Sequence, residues 1–219
     1  MGFLVSLEGI DGSGKGTQAG LLAERARAAG RTVETFSFPT YDGNPFAEAI
    51  AGYLNGEFGS ADEVHPELAA LLYAADRFHA RGALTRAIEE HDLVICDRYA
   101  ASNAAHQGAK LQGEDRQRLL DWLERVEYGE FALPRPDLVI LFDTPVAVAR
   151  SLVARKGERG YTTLAADIHE ADTAHTTATR EVYLELAERN GWRVVHTANE
   201  GGELRDVEEI ADEVWELVR

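Results

Sequence analysis

The run Phe3-Leu4-Val5-Ser6-Leu7-Glu8 passes directly into Gly9-Ile10-Asp11-Gly12-Ser13-Gly14-Lys15-Gly16-Thr17. An apolar strand, a glycine-rich turn ending in a lysine, and then a helical stretch form the phosphate-binding P-loop pattern. Few local features constrain a fold as much. Several backbone N–H groups must converge on one polyanion, and side chains at those positions would block them. Glycine permits the close approach and the unusual dihedrals. A helix over about 15–28 adds its positive N-terminal end. Lys15 supplies a mobile charge for the β- and γ-phosphates. Gly9, Ile10, Asp11, Gly12, Ser13, Gly14, Lys15, Gly16 and Thr17 are therefore the candidate nucleotide-binding set. A glycine-rich strand–helix turn without a ligand is the alternative.

One position departs from the pattern. The residue after the lysine is usually Ser or Thr, whose hydroxyl ligates Mg²⁺. Here it is Gly16, and the hydroxyl comes one residue later on Thr17. One helical residue is a rotation of about 100°, so Thr17 does not simply replace the missing ligand. Adenylate kinases carry a similar Gly-Lys-Gly-Thr run, which makes the variant compatible with phosphoryl transfer between nucleotides.

Apolar strands alternate with helices along the rest of the chain. Strands are predicted at Phe3–Leu7, Thr32–Phe38, Leu93–Cys96, Leu138–Phe142 and Arg193–His196. Helices are predicted at about 15–28, 45–55, 66–90, 100–110, 114–127, 145–155, 166–190 and 203–218. This alternation predicts a five-stranded parallel sheet with helices on both faces, an α/β fold of three layers. Residues 1–219 read as a single domain, since no repeat, low-complexity tract or long linker interrupts them. Ligands of such sheets bind at the carboxyl ends of the strands. That rule gathers the P-loop, Phe38-Pro39-Thr40-Tyr41, Asp97-Arg98-Tyr99, Phe142-Asp143-Thr144 and the segment after His196 in one place. Leu93-Val94-Ile95-Cys96-Asp97 is an apolar strand ending in a carboxylate. Paired with a P-loop, it reads as the second metal-site element, with Asp97 near Mg²⁺ directly or through water. Arg98 follows as a fixed planar donor beside the phosphates.

Composition excludes several classes. Against 22 basic residues stand 38 acidic ones, for a net charge of −16, and the only lysines are Lys15, Lys110 and Lys156. Such a surface repels nucleic acid. An acidic, lysine-poor composition suits work in concentrated salt, where the screening length shrinks to about 3 Å at 1 M; an ordinary acidic protein is the alternative. No stretch approaches the ~18 apolar residues of a membrane span, and no leader segment is expected before the first strand. The single Cys96 reads as a small buried hydrophobe. The cytoplasm is the expected compartment.

The ensemble resembles the thymidylate kinase family, P-loop nucleoside monophosphate kinases that transfer the γ-phosphoryl group of ATP to dTMP in dTTP synthesis. Glu8–Gln18, Phe38-Pro39-Thr40-Tyr41, Leu71-Leu72-Tyr73-Ala74-Ala75-Asp76-Arg77, Asp97-Arg98-Tyr99 with Ser102-Asn103, and Leu133-Pro134-Arg135-Pro136-Asp137 carry the resemblance, in the family's order. It implies a P-loop kinase fold with a helical lid at about 150–168, Mg²⁺ as cofactor and a homodimer through faces of the 66–90 and 100–127 region. It also implies site roles. Tyr73 is the platform for the thymine ring, and Arg77, four residues on and so on the same helix face, donates to thymine O4. Asn103 faces N3–H through its amide. A core aromatic and a surface ion pair of Arg77 with Asp76 or Asp97 are the plainer readings. Arg98 bridges donor and acceptor phosphates, and Pro39 and Tyr41 lie along the acceptor phosphate. Many relatives have a basic residue where Thr40 stands. Asp11 takes the 3′-hydroxyl or the Mg²⁺ shell, while His106 and His169 lie toward the sugar.

Arg150, Arg155, Lys156 and Arg159 surround Gly157 and Gly160, a cationic, glycine-hinged segment in an acidic chain. By resemblance it is the lid. No arginine stands at Gly12 or Ser13, where some relatives carry one, so Arg155 or Arg159 is expected to meet the migrating phosphoryl group, beside Lys15, Asp97 and Arg98. A solvated charge cluster is the alternative. Two competing functions remain. Another P-loop kinase would act on UMP, CMP, AMP or a deoxynucleoside; Arg77 and Asn103 instead suit a 4-keto pyrimidine. A GTP-dependent switch needs an Asn-Lys-x-Asp element, and no lysine here follows an asparagine.

Overall fold

The computed structural model describes residues 2–40, 44–60, 63–155 and 173–219. Its centre is a sheet of five parallel strands: β1 (Phe3–Glu8), β2 (Val33–Ser37), β3 (Leu93–Asp97), β4 (Leu138–Asp143) and β5 (Arg193–His196), in the order β2-β3-β1-β4-β5. The chain leaves β1 for the far edge at β2, returns to β3, then crosses to β4. The strand order therefore reverses about β1, and the loop after β1 opens into the crevice where ligands bind in such sheets.

Alternation along β1 assigns its side chains to the two layers. Val5 and Leu7 face α1 (Lys15–Ala28) and α8 (Val207–Val218), where Leu22, Ala26, Ile210 and Val214 complete one core. Leu4 packs on the other face under α3 (Pro66–Glu90), with Leu84, Ile88, Val94 and Cys96. That layer continues through α4 (Ala100–Gly108), α5 (Gly113–Glu124), α6 (Val146–Arg155) and α7 (Thr173–Asn190), packed around Leu141, Ala149, Val182 and Tyr183. The remaining helix, α2 (Pro45–Leu54), packs on α3 through Ile50, Tyr53 and Ala69. Cys96 is a free, fully buried thiol, as its apolar run predicts, and burial pushes its pKa up.

Two predicted helix ends move, each for a local reason. The predicted helix 114–127 ends at Glu124 and continues as a wider π-helical turn, Arg125–Glu130. The closing bonds are Phe131 N to Val126 O at 2.8 Å and Leu133 N to Glu127 O at 3.0 Å. The predicted helix 203–218 begins only at Val207. Asp206 caps it, accepting from the backbone N–H of Glu208 at 2.9 Å and of Glu209 at 3.4 Å. The preceding residues close a separate turn, in which Asn199 N donates to Glu203 O at 2.9 Å.

Candidate active site

The P-loop leaves β1 at the crevice and reaches α1 through Gly14, a left-handed residue at the helix N-cap. Two of its glycines are required by close approach. A Cβ on Gly12, whose φ is +80°, would lie 2.1 Å from the Ala149 carbonyl oxygen of α6. Helix α6 thus seals the loop at this position. A Cβ on Gly16 would stand 3.1 Å from Asp97 Oδ2. The departure at this position therefore opens space in front of that carboxylate.

Lys15 folds back along the loop, its Nζ donating to Ile10 O at 2.9 Å and Ser13 Oγ at 3.2 Å. Burial first, and then the neighbouring Arg98 charge, push its pKa down to about 8, against the pull of Asp11, Asp97 and Glu8. Arg98 lies just past β3 with φ at +67°, a left-handed conformation costly for a side chain with a Cβ. Its guanidinium spans the site. Nη2 meets Asp11 Oδ1 at 2.6 Å, and Nη1 donates to Gly9 O at 3.2 Å and Ser102 Oγ at 3.1 Å. His106 Nε2 lies 3.3 Å from the same Nη1. Burial alone would lower its pKa; Asp11 above all the other neighbours reverses this and holds it well above the ordinary arginine value.

Glu8 explains how that strained turn is held. Fully buried, it accepts from Tyr99 N at 2.9 Å and from Ser102 Oγ at 2.6 Å. Burial raises its pKa, partly offset by the Ser102 hydrogen bond and by Arg98 and Lys15. Sequence alone does not reveal this role, because a strand-end acid before a glycine carries no distinctive signal.

The larger cavity, about 660 Å³, is walled by the P-loop from Asp11 to Gln18, by Phe38, Pro39, Asp97 and Arg98, and by Leu152. It extends to Leu204, Arg205 and Val207 before and at the start of α8, and Leu204 and Val207 are exposed apolar side chains. A volume of this size suits a nucleotide. A second cavity, about 400 Å³, lies beneath α4 and α5, lined by Ser6, Tyr99, Leu120, Glu127 and Trp192 among others, and contains no P-loop residue.

Asp97 Oδ1 is buried without a hydrogen-bond partner. An orphaned carboxylate oxygen beside the P-loop fits a divalent cation. Among the described residues no three His, Cys, Asp or Glu side chains group as a metal cage. That also fits Mg²⁺, which is typically held by one or two carboxylates with water and phosphates. Asp11, the other candidate ligand, is bound to Arg98 through Oδ1.

The base-reading candidates sit apart from the larger cavity. Arg77 forms no ion pair with Asp76 or Asp97 and is not at the surface. It is 2 % exposed, its Nε and Nη2 each 2.6 Å from a carboxylate oxygen of Glu127. Burial works against its charge, and Glu127 more than reverses this, so its pKa stands above the ordinary value. Asn103 joins the same carboxylate at 2.9 Å through Nδ2. Tyr73 is half-buried and meets Tyr53 edge-on, with ring centroids 6.4 Å apart. Asp76 is buried and holds the turn after β2. It accepts from the Thr40 amide at 3.0 Å, from the Thr40 hydroxyl, and from Asn44 Nδ2 at 2.8 Å. Tyr41, Lys156, Arg159, His169 and the side chain of Arg155 lie outside the described residues, as does most of the segment 150–168.

With this geometry in view, a family model described as thymidylate kinase matches residues 7–209. A thymidylate kinase of Mycobacterium tuberculosis is 36% identical over 190 residues, covering 86% of this chain and 87% of that protein. A protein of Pyrococcus abyssi described as a probable thymidylate kinase is 36% identical over 222 residues, covering 100% of this chain and 96% of its own. The solved thymidylate kinase of Candida albicans superposes with a TM-score of 0.76 at 23% identity, over 99% of this chain and 91% of that one. At that identity it supports the P-loop kinase architecture alone.

Proposed function

The chain belongs to the thymidylate kinase family and phosphorylates dTMP; from that premise we propose that ATP is its donor, that Mg²⁺ is its metal, and that Arg77 and Asn103 read the acceptor base. The observation that carries this reading is the convergence of Lys15, Arg98 and the orphaned Asp97 oxygen on one nucleotide-sized cavity.

Phosphoryl transfer passes through a loose transition state, so the protein chiefly positions and neutralises. Lys15 exchanges its bonds to Ile10 and Ser13 for phosphate oxygens. Arg98, already stretched between the P-loop and α4, stands where donor and acceptor phosphates would meet. Asp97 and Asp11 would hold Mg²⁺, which when bound neutralises phosphate charge. The adenine ring would lie against Leu152, Leu204 and Val207, which gives the exposed Leu204 and Val207 a partner. Arg155 and Arg159, in a lid over about 150–168 of one 219-residue domain, would add charge and exclude water, suppressing ATP hydrolysis. Pro39 and Tyr41 would line the acceptor phosphate, and His106 and His169 the sugar.

The family relationship and the exposed apolar stripe Leu68, Leu71 and Phe78 on α3 support a homodimer. No described helix is long and apolar enough to cross a membrane. We infer a cytoplasmic enzyme of dTTP synthesis, a compartment that suits its single buried thiol.

The test is ADP release measured across dTMP, dUMP, CMP and AMP. The highest kcat/KM is expected with dTMP. Lacking one methyl, dUMP should be poorer by roughly 10–200-fold but not silent. CMP or AMP ahead of dTMP would overturn the acceptor assignment.

A further inference from the structure

Glu127 belongs to no motif in the sequence, yet it organises the base-reading pair. Its two carboxylate oxygens receive three donors: Arg77 Nε at 2.6 Å, Arg77 Nη2 at 2.6 Å and Asn103 Nδ2 at 2.9 Å. All three side chains are buried. The side-on grip on Arg77 occupies Nε and Nη2 and leaves Nη1 without a partner among the described residues.

The same contacts decide which way the Asn103 amide faces. An asparagine amide can turn over, exchanging a donor for an acceptor. Here Nδ2 is bound by the Ala70 carbonyl oxygen at 2.9 Å and by Glu127 Oε1 at 2.9 Å. Both oxygens can only accept, so the NH₂ must face them. Asn103 Oδ1 then faces the other way, buried and with nothing to accept from. A buried acceptor left open costs stability unless a ligand fills it.

Glu127 therefore leaves one free donor, Arg77 Nη1, and one free acceptor, Asn103 Oδ1. Thymine and uracil present the complement on one edge, an accepting O4 beside a donating N3–H. Cytosine presents the reverse, a donating amino group beside an accepting N3. We propose that Glu127 is the positioning residue that sets base specificity, fixing the donor–acceptor polarity of Arg77 and Asn103 without touching the base. This rests on the reading of Arg77 and Asn103 as the base-contacting pair.

Glu127→Gln is the sharpest test. It keeps the shape but puts an NH₂ where a carboxylate oxygen stood, so one donor must face another. The measurement is kcat and KM for dTMP and dCMP in the full-length enzyme, with far-UV circular dichroism as the folding check. The expected result is a dTMP KM raised about tenfold or more, with kcat changed far less, and a dTMP:dCMP selectivity reduced by a similar factor. Glu127→Asp, which keeps both oxygens, should restore part of that selectivity. If Glu127→Gln fails to fold, the decision passes to Glu127→Asp and to the double variant Arg77→Ala/Glu127→Gln, which removes the unpaired charge together with its partner. Acting in part through Arg77, Glu127→Gln should add less selectivity loss on top of Arg77→Ala than it causes alone, the remainder coming through Asn103. Loss of kcat with unchanged KM and selectivity would overturn the proposal, as would full additivity in the double variant. Arg77→Ala alone separates the two levels. If it leaves selectivity intact, the base-reading assignment fails and this proposal with it. If it collapses selectivity while a folded Glu127→Gln keeps it, only the role of Glu127 fails.

Discussion

Lys15 is a buried ammonium whose hydrogen bonds go to its own loop, and its pKa of about 8 places its charge within reach of ordinary assay conditions. Phosphates beside Nζ favour the protonated form and raise that pKa, so ATP binds the charged lysine preferentially. The sign follows by linkage: affinity is full below pH 8 and declines as pH rises through it, by at most about tenfold per unit. Calorimetric titration of ATP·Mg²⁺ from pH 7 to 9.5 should show that decline, and Lys15→Ala should bind weakly with no break near pH 8. Parallel profiles in the two proteins would count against it. Arg98→Ala should lower kcat much more than it weakens dTMP binding, because its charge matters most as the phosphoryl group moves; an equal loss in both would place it in ground-state binding instead. The P-loop, Asp97 and Arg98 were legible in the sequence because each acts within a strand–turn–helix of contiguous residues. Glu127 was not. It serves Arg77 from 50 residues away, and only an acid placed four residues after the inward-facing Leu123 hinted that a buried partner was required.

Elements bring these residues together, and α6 does so by packing on a loop. Helix α6 sits on the P-loop at Gly12, so Gly12→Ala would require either α6 or the loop to shift by more than rotamer changes allow. Helix α8 starts beside the cavity because Asp206 caps it. Asp206→Ala should cost about 1 kcal/mol, a fall in melting temperature of roughly 2–4 °C for a chain of this size. Asp206→Asn should keep most of that stability, since asparagine caps as well as aspartate. Equal losses in the two variants, read by scanning calorimetry, would show that the cap is not what fixes the start of α8. The strands and most helices were readable because apolar periodicity and turn residues mark them directly. The end of α5 was not, since an inward stripe running through Leu120, Leu123 and Glu127 fits either an α-helix or the wider turn that forms. The stretch Glu203-Leu204-Arg205-Asp206 before α8 likewise looks helical until Asp206 is seen to cap rather than continue the helix.

At the scale of the whole molecule, two surface properties pull against each other. The apolar stripe on α3, with Leu68, Leu71 and Phe78 at 63%, 39% and 41% exposure, favours burial against a second copy. Sedimentation at micromolar concentration in high salt should give a dimer, and Leu71→Glu should give a monomer; a wild-type monomer there would remove the idea. The net charge of −16 opposes both association and folding. Exposed ion pairs such as Arg25 with Glu208 and Asp212 relieve it locally, but solvent screening leaves pairs of that kind contributing little. Salt weakens those attractions and the repulsion together, so whichever is stronger decides the sign. At 0.01 M the screening length is about 30 Å, comparable to the molecule, and most acidic groups feel one another. At 1 M it is about 3 Å, and only near neighbours do. With 38 acidic groups against 22 basic ones, many acids must go without a cationic partner, and repulsion outweighs attraction. The melting temperature should therefore rise from 0.1 M to molar KCl. The ATP KM need not follow it, because salt also screens the attraction of Lys15 and Arg98 for phosphate. A flat or falling melting temperature over that range would mean that the acidic surface is no adaptation to salt, and would leave the kinase chemistry untouched.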